Sequence, residues 1–360
     1  MKKILTLIIV LSFFIFILIP FVPLFGPDLL RDYTHKELVY KVITSKLTNG
    51  NSSDREKSLK LFYYVHTHLF VPENVKTVDK HPLNDLIRGI GRCDQQSNTL
   101  ITLARKVSIK GRLIFLRGYD KVSHHSVSEL YVDGKYRIFD PLYGYIFFTD
   151  GQNIATFSDI QNKKVEKRSE QFDAMLFFNK ELEANNYLRF YEAINKFIVF
   201  RTNFNKDLKR VLISGLIDFY YDIFGDLFLV SFQEFYFKLV DVDLFLRARL
   251  KHLSFRFESA ITDYNEIINT NRNNFLKSES RFFKAQAFWY MEDFNACILT
   301  LEKLLKEYSQ TRWKTPIYFY LGSSYENIKN VNKAKFYYSK IKGNNTTPAP
   351  TNLMKLINKN

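Results

Sequence analysis

The segment from Gly89 to Pro141 constrains the fold of this chain more than any other stretch, because three patterns follow one another in it. Cys93 comes first, and behind it apolar residues recur at helical spacing at Leu100, Leu103, Ala104 and Val107. Two strand-like runs follow, the first opening with His125 and the second closing with Asp140. A helix followed by an antiparallel hairpin predicts an α+β domain.

The turn between the two runs sets their register. Asp133-Gly134 is the two-residue signal of a tight hairpin turn, and a turn there pairs Glu129 with Ile138. Because successive side chains point to opposite faces of a strand, His125 and Asp140 then share a face as diagonal neighbours. Their backbones lie about 7 Å apart, which is within reach of a hydrogen bond between an imidazole and a carboxylate.

A thiol, an imidazole and a carboxylate in this order are the parts of a Cys-His-Asp nucleophilic centre. Cys93 would lie in the first turn of its helix, where the unpaired N–H groups favour a thiolate and can stabilise an oxyanion. The register selects His125, since His124 points to the other face, and a β-bulge would exchange the two histidines. The alternatives are a packed core cysteine and an ordinary strand histidine.

The G-x-C motif that opens a helix, the strand after it and the sequence HHSVSELYVDGKYRIFDP together resemble the core of the transglutaminase-like superfamily. That superfamily shares a papain-like centre with cysteine proteases, and the resemblance spans residues 55 to 145. It implies Cys93 as the nucleophile, His125 as the general base and Asp140 as the residue that orients the histidine. It also implies a cysteine helix packed on an antiparallel sheet. The chain departs from many members at Val127, where they have an aromatic residue, and some members have lost activity.

The first 27 residues predict a membrane anchor. Two lysines follow the first methionine, and an uncharged apolar run then extends from Ile4 to Pro27. At about 1.5 Å per residue a helix of this length crosses a bilayer, and the run is longer than the apolar core of a usual signal peptide. We therefore expect a single span in the inner (cytoplasmic) membrane, with the bulk of the chain extracytoplasmic, in the periplasm. A cleaved signal peptide is the alternative.

Four further segments follow the anchor in the predicted organisation. They are a transglutaminase-like domain (28–160), an α-helical connector (161–244), tetratricopeptide-like repeats that form an α-solenoid (245–343) and a flexible tail (344–360). Within the connector, the apolar stretch Val211 to Phe237 carries Asp218, Asp222 and Asp226 at four-residue intervals. This polar stripe favours a buried or membrane-surface helix over a second membrane span.

The last hundred residues repeat with a period of 37 residues. Four columns carry the period: Ala248, Ala285 and Gly322; Phe257, Phe294 and Val331; Ala260, Cys297 and Ala334; Tyr264, Leu301 and Tyr338. Small residues alternating with large ones are typical of stacked helical hairpins, and the copies resemble tetratricopeptide repeats, whose usual period is about 34 residues. This resemblance implies a groove that binds a protein partner. Cys297, in a small-residue column, is interpreted as a packed core thiol.

Composition excludes some classes of function. The formal net charge is +15, but the basic residues are scattered along an exported chain, so we expect no nucleic-acid partner. His66 and His68 are two residues apart on a predicted helix and cannot share a face, and only two cysteines exist, so no metal site is predicted. The sequence contains no phosphate-binding glycine loop, and no cofactor is expected.

Two functions remain compatible with the sequence. In the first, the chain is a membrane-anchored peptidase, amidase or transglutaminase-like acyltransferase that acts through Cys93, His125 and Asp140 on an envelope peptide or protein. In the second, the transglutaminase-like fold and the repeats form a non-catalytic scaffold for protein or polysaccharide assembly in the envelope. The presence of all three residues favours the enzyme, because a scaffold does not need them.

Overall fold

The structure is a computed structural model, and it describes residues 10–12, 15–48, 52–71, 81–117, 123–149, 153–162, 199–202 and 208–341. The chain divides into two compact units. Unit 1 comprises Met1–Ile43 and Asn205–Asp243, and unit 2 comprises Thr44–Phe204 and Leu244–Asn360. The domain boundaries predicted above stay predictions, because 163–198 in the connector and the tail 344–360 lie outside the described residues.

The elements are numbered in chain order. The first part contains a 3-10 helix (Ile19–Phe25), α1 (Asp28–Leu47), α2 (Asp54–His68), α3 (Pro82–Arg88), α4 (Cys93–Lys106), β1 (Gly111–Arg117), β2 (Ser123–Val132), β3 (Lys135–Phe139), β4 (Phe148–Thr149), β5 (Asn153–Ile154) and α5 (Phe157–Gln161). The second part contains β6 (Val199–Thr202), α6 (Leu208–Val240), α7 (Leu244–Leu253), α8 (Phe257–Thr270), α9 (Asn274–Tyr290), α10 (Phe294–Glu307), α11 (Lys314–Asn327) and α12 (Val331–Ser339).

Unit 2 contains an antiparallel sheet with the strand order β3-β2-β1-β6. The hairpin between β2 and β3 pairs Glu129 with Ile138, which confirms the predicted register. Its turn residues, Asp133 and Gly134, both have positive φ angles, of 50° and 74°. These angles are typical of the tight turn whose twist matches that of the flanking strands, which explains why the Asp-Gly pair predicted the register correctly.

Apolar side chains cover the sheet. A cluster from one face of the sheet and the segment after it is buried, and it consists of Ile114, Leu116, Val127, Ile138, Tyr145, Phe147, Ala155, Phe157 and Ile160. Helix α4 contacts β2 through Ser97, whose hydroxyl donates to the carbonyl of Ser126 over 3.2 Å. As predicted, α4 begins at Cys93 and buries Leu100 and Leu103 completely. The core therefore fixes the cysteine helix against the strand that carries His125.

The C-terminal part of unit 2 is helical, and consecutive helices pack in pairs. Helix α9 contacts both α7 and α11, so these three form one row, and α8, α10 and α12 lie in the paired positions. The predicted small-residue columns fall on equivalent buried positions: Ala248, Ala285 and Gly322 in the first row, and Ala260, Cys297 and Ala334 in the second. The assignment to the tetratricopeptide class stays a prediction.

Unit 1 brings the end of the apolar N-terminal run against α6. Ring centroids lie 5.1 Å apart for Phe16 and Tyr220, and 5.7 Å apart for Phe21 and Phe232. Helix α6 is interrupted at Gly225, whose φ of 53° and ψ of −131° are not helical. The break lies between two of the three aspartates of the predicted polar stripe.

The predicted N-terminal membrane helix is not found in the described part of the chain, which leaves out residues 1–9 and 13–14. No helix among the described residues, α6 included, is long and apolar enough to span a bilayer. From Ile19 to Phe25 the backbone forms a 3-10 helix with Pro20 at its start and Pro23 inside it. Proline removes an N–H donor and clashes with the preceding turn, so the apolar run does not continue as an α-helix to Pro27.

Candidate active site

A short bridge between two segments places Cys93 at the first turn of α4. The N–H of Phe70 donates to the carbonyl of Gly89 over 3.0 Å, and the N–H of Gly91 donates to the carbonyl of Phe70 over 3.0 Å. Gly89 ends α3 with a φ of 66°, a left-handed conformation that glycine adopts without strain. The chain therefore turns sharply after α3 and starts α4 at the cysteine, whose side chain is half-buried.

Helix α3 is also tied to the first turn of α4 through a buried carboxylate. Asp85 is 1% exposed, and its Oδ1 accepts from the side-chain amide of Gln95 over 2.7 Å and from Arg88 over 2.7 Å. The other end of the Gln95 amide accepts from the N–H of Arg92 over 3.1 Å. The sequence analysis missed this support, although a glutamine at the third helical position is a recognised capping signal.

His125 and Asp140 meet as the register predicts. The Nε2 atom of His125 lies 2.8 Å from Oδ2 of Asp140, and the two side chains are 1% and 0% exposed. The second carboxylate oxygen accepts from the N–H of Tyr143 over 3.3 Å, and the Tyr143 ring lies 4.9 Å from the imidazole, centroid to centroid. The carboxylate is thus held on one edge of the imidazole in a water-poor environment.

Cys93 is the third member of the group, because its thiol acts together with Asp140 on the pKa of the His125 ring. Burial by itself would lower the pKa of His125, since it disfavours the charged ring. The Asp140 carboxylate and the Cys93 thiol act in the opposite direction and raise the pKa of His125 to about 10. The imidazole is therefore positively charged at neutral pH.

A second buried histidine supports the turn that carries the carboxylate. His66 donates from Nδ1 to the carbonyl of Pro141 over 2.6 Å. Gly144 has a φ of 69°, and a side-chain carbon placed on it would lie 2.5 Å from Nε2 of His66. The ring thus packs directly against the turn, which needs glycine at this position. The sequence analysis considered His66 only as a metal ligand, and the three-dimensional contact shows that it supports the turn that carries Asp140.

Two glutamine side chains support the first turn of α4. The side-chain amide of Gln96 donates to the carbonyl of Gly91 over 2.8 Å, and that of Gln95 binds Asp85. Both glutamines therefore hold the first turn of α4, in which Cys93 lies. The N–H groups in the first turn of a helix have no carbonyl partner within it, so those of α4 are the candidate donors to an oxyanion.

The other cysteine has a different environment. Cys297 is fully buried in α10, and burial raises its pKa to about 12. A thiol with so high a pKa is protonated and inert at neutral pH. This agrees with the interpretation of Cys297 as a packed core residue.

Comparison with known families agrees with this geometry. Residues 41–141 match the model of the transglutaminase-like superfamily, and this range contains Cys93, His125 and Asp140. No match was found among curated proteins or among solved structures. The helix, the antiparallel sheet and the matched range together support a transglutaminase-like domain in this part of the chain.

Proposed function

We propose that the protein is a cysteine acyl-transfer enzyme in which Cys93 is the nucleophile, His125 the proton carrier and Asp140 the residue that orients the imidazole. One observation carries the proposal. Nε2 of the buried His125 lies 2.8 Å from the buried carboxylate of Asp140, and the carboxylate and the Cys93 thiol both raise the pKa of the imidazole. A histidine buried for packing alone would be neutral.

The chemistry follows from these positions. The Cys93 sulfur forms a bond to the carbonyl carbon of an amide, and the carbonyl oxygen takes the electron pair beside the first-turn N–H groups of α4. When this intermediate collapses, the C–N bond breaks and His125 gives its proton to the leaving nitrogen. Water or an amine then attacks the thioester, loses a proton to His125 and releases Cys93 as the thiolate. Asp140 keeps the ring in one tautomer throughout.

The setting of the enzyme belongs to the same proposal. We propose hydrolysis of a peptide or protein amide in the cell envelope, with the chain attached to the inner membrane by residues 1–27 and its bulk in the periplasm. The repeats bind a protein partner. Because the row α7, α9 and α11 already contacts the transglutaminase-like domain, the partner would use the paired row, where Leu299 and Phe336 are 69% and 52% exposed.

Alkylation of Cys93 as a function of pH tests the catalytic assignment. A thiolate paired with a charged imidazole reacts rapidly with iodoacetamide at pH 6, whereas a free thiol with a pKa of about 8.5 reacts slowly there. We expect His125→Ala to slow the reaction at pH 6 by at least about 10-fold. His124→Ala, at the adjacent residue, is the matched control, and Cys93→Ser records any labelling of Cys297. Wild-type protein that reacts as a free thiol would leave the non-catalytic scaffold as the function.

A further inference from the structure

Within unit 2, the row of helices α7, α9 and α11 packs against the segment that leads to the cysteine. The ring of Phe70, whose backbone brackets Gly89 and Gly91, has aromatic neighbours from two of these helices. Its centroid lies 6.2 Å from that of Phe282 and 6.3 Å from that of Tyr320. A side-chain carbon placed on Gly89 would lie 3.0 Å from the ring of Phe283. The backbone that leads to Cys93 therefore packs against the helices of this row.

Arg249 of α7 adds a polar contact to this packing. Arg249 is 0% exposed, and its Nε donates to the carbonyl of Ile87 over 2.7 Å while Nη2 donates to the carbonyl of Leu86 over 2.7 Å. The guanidinium also lies 3.5 Å from the centre of the Phe283 ring. Two parallel donors on adjacent carbonyls fix the end of α3 in position and in orientation, which one ammonium group would not do.

The groups around the guanidinium indicate that Arg249 serves to hold the end of α3 in position. Arg249 Nη1 lies 3.3 Å from Nδ1 of His252 and 3.5 Å from the hydroxyl of Tyr264. Burial, reinforced by Arg249, lowers the pKa of His252 well below its usual value, so this neighbour is neutral. The positive charge is thus held by two carbonyls and an aromatic face, and its position depends on them.

Two connections link α3 to Cys93. The chain itself passes from Ile87 through the left-handed Gly89 to Cys93. In addition, Asp85 of α3 binds Gln95 in the first turn of α4 over 2.7 Å. A shift of α3 therefore moves both the entry to α4 and the partner of its first turn.

We propose that Arg249 is a positioning residue for the reaction, and that the repeat helices hold α3 so that the Cys93 thiol lies against His125. The inference rests on the proposed function, since it assigns to the repeats a role in the same site.

The test compares two arginines of the same helix in the full-length protein. Arg249→Lys keeps the charge but loses one of the two carbonyl contacts. Arg247→Lys is the matched control, because Arg247 also makes a two-pronged contact, over 3.2 Å and 3.2 Å, but to Asp263 within the repeats. A third variant, Tyr338→Phe, removes a hydrogen bond in the last helix and gives a loss of stability far from α3. Each variant is compared in thermal midpoint, in amide hydrogen exchange over 82–92, and in the rate of Cys93 alkylation between pH 5 and pH 9.

We expect Arg249→Lys to raise exchange over 82–92 and to slow alkylation at pH 6 by about fivefold or more, with a smaller change at pH 9. Neither Arg247→Lys nor Tyr338→Phe should do so at a comparable thermal midpoint. The proposal is overturned if Arg249→Lys leaves exchange and the pH profile unchanged, or if Tyr338→Phe reproduces both changes. Failure of the proposed function is distinct, since it shows in the wild type as free-thiol reactivity of Cys93, whatever Arg249→Lys does to exchange.

Discussion

Two buried regions of unit 2 hold histidines that differ in charge: one is positively charged at neutral pH and the other is neutral. In the site, His125 is 1% exposed and its pKa is raised to about 10. In the contact between α2 and the repeats, His68 is 3% exposed, and burial lowers its pKa to about 3, with Arg249 adding to the effect. Burial is nearly the same in the two places, so burial does not decide the charge.

The neighbouring charge decides it. Asp140 lies 2.8 Å from His125, whereas His68 has the carbonyl of Tyr64 at 2.8 Å and the guanidinium of Arg249 as the nearby charge. A nearby carboxylate offsets the free-energy cost of burying a charged imidazole. A nearby cation increases that cost. The comparison separates a histidine that can carry a proton in a reaction from one that serves packing, and the predictions below test that separation.

Removing the charge of Asp140 should make the environment of His125 resemble that of His68. We expect this change to have the largest effect. Asp140→Asn keeps a hydrogen-bonding group but leaves burial to dominate, so His125 becomes neutral. We expect alkylation of Cys93 at pH 6, and any amidase activity, to fall by at least about 100-fold. Asp263→Asn is the control, because Asp263 is also a buried carboxylate but pairs with Lys251 over 2.8 Å within the repeats. Equal losses in both variants would contradict the assignment.

The turn beside His66 should show the next largest effect. Gly144→Ala forces a left-handed alanine into contact with the His66 ring, so we expect a loss of about 2–3 kcal/mol in the free energy of unfolding and slower alkylation of Cys93. Gly134→Ala is matched, because Gly134 also has a positive φ, of 74°, but no atom lies within 4 Å of the added carbon. It should cost about 1 kcal/mol and leave Cys93 unchanged. Equal effects in urea unfolding would show that His66 does not support the turn.

The pH dependence of stability should have opposite signs in the two regions. The unfolded chain protonates His68 below about pH 6.5, whereas the folded chain does so only near pH 3, so stability is present above pH 6.5 and lost as the pH falls. Between pH 7 and pH 5 this costs about 2 kcal/mol, which His68→Asn should remove. His125 contributes stability that is complete below about pH 6.5 and lost as the pH rises towards 10.

Urea unfolding at pH 5, 7 and 9 measures both contributions. A His68→Asn variant that keeps the full decline between pH 7 and pH 5 would show that His68 is charged in the folded protein. His125→Ala should lose more stability at pH 5 than at pH 9, and a loss independent of pH would contradict the charged state of His125.

The smallest effect is expected at the second cysteine. Cys297 is fully buried, and Cys297→Ala removes one sulfur from a closely packed position, so we expect a cost of about 1 kcal/mol. Alkylation of Cys93 should stay within twofold of the wild type. A change in the pH profile of Cys93 would show that the two thiols are coupled.

The sequence predicted the parts of the site that local patterns determine. The Asp133-Gly134 turn fixed the register, and the register placed His125 beside Asp140 and excluded His124. The helical spacing behind Cys93 predicted where α4 begins. These features depend on residues a few positions apart in the chain, where turn geometry and side-chain alternation leave few alternatives.

What the sequence did not predict depends on distant contacts or on single residues inside a pattern. The support of Pro141 by His66 joins residues 75 positions apart, and the contact of Arg249 with Leu86 joins residues 163 positions apart. A periodic sequence pattern does not predict contacts between residues so far apart in the chain. The hydropathy of the apolar N-terminal run led to the prediction of a membrane helix. Pro20 and Pro23 within the run instead favour the 3-10 helix that the backbone adopts there.

The protonation state of His125 tests the central claim most directly. Protein carrying 15N in the histidine rings would be titrated from pH 5 to pH 9 by NMR, with His125→Ala and His68→Asn assigning the signals. The account predicts that both ring nitrogens of His125 stay protonated across this range while His68 stays neutral. A His125 signal that titrates near pH 6.5, or that is neutral at pH 7, would contradict the account.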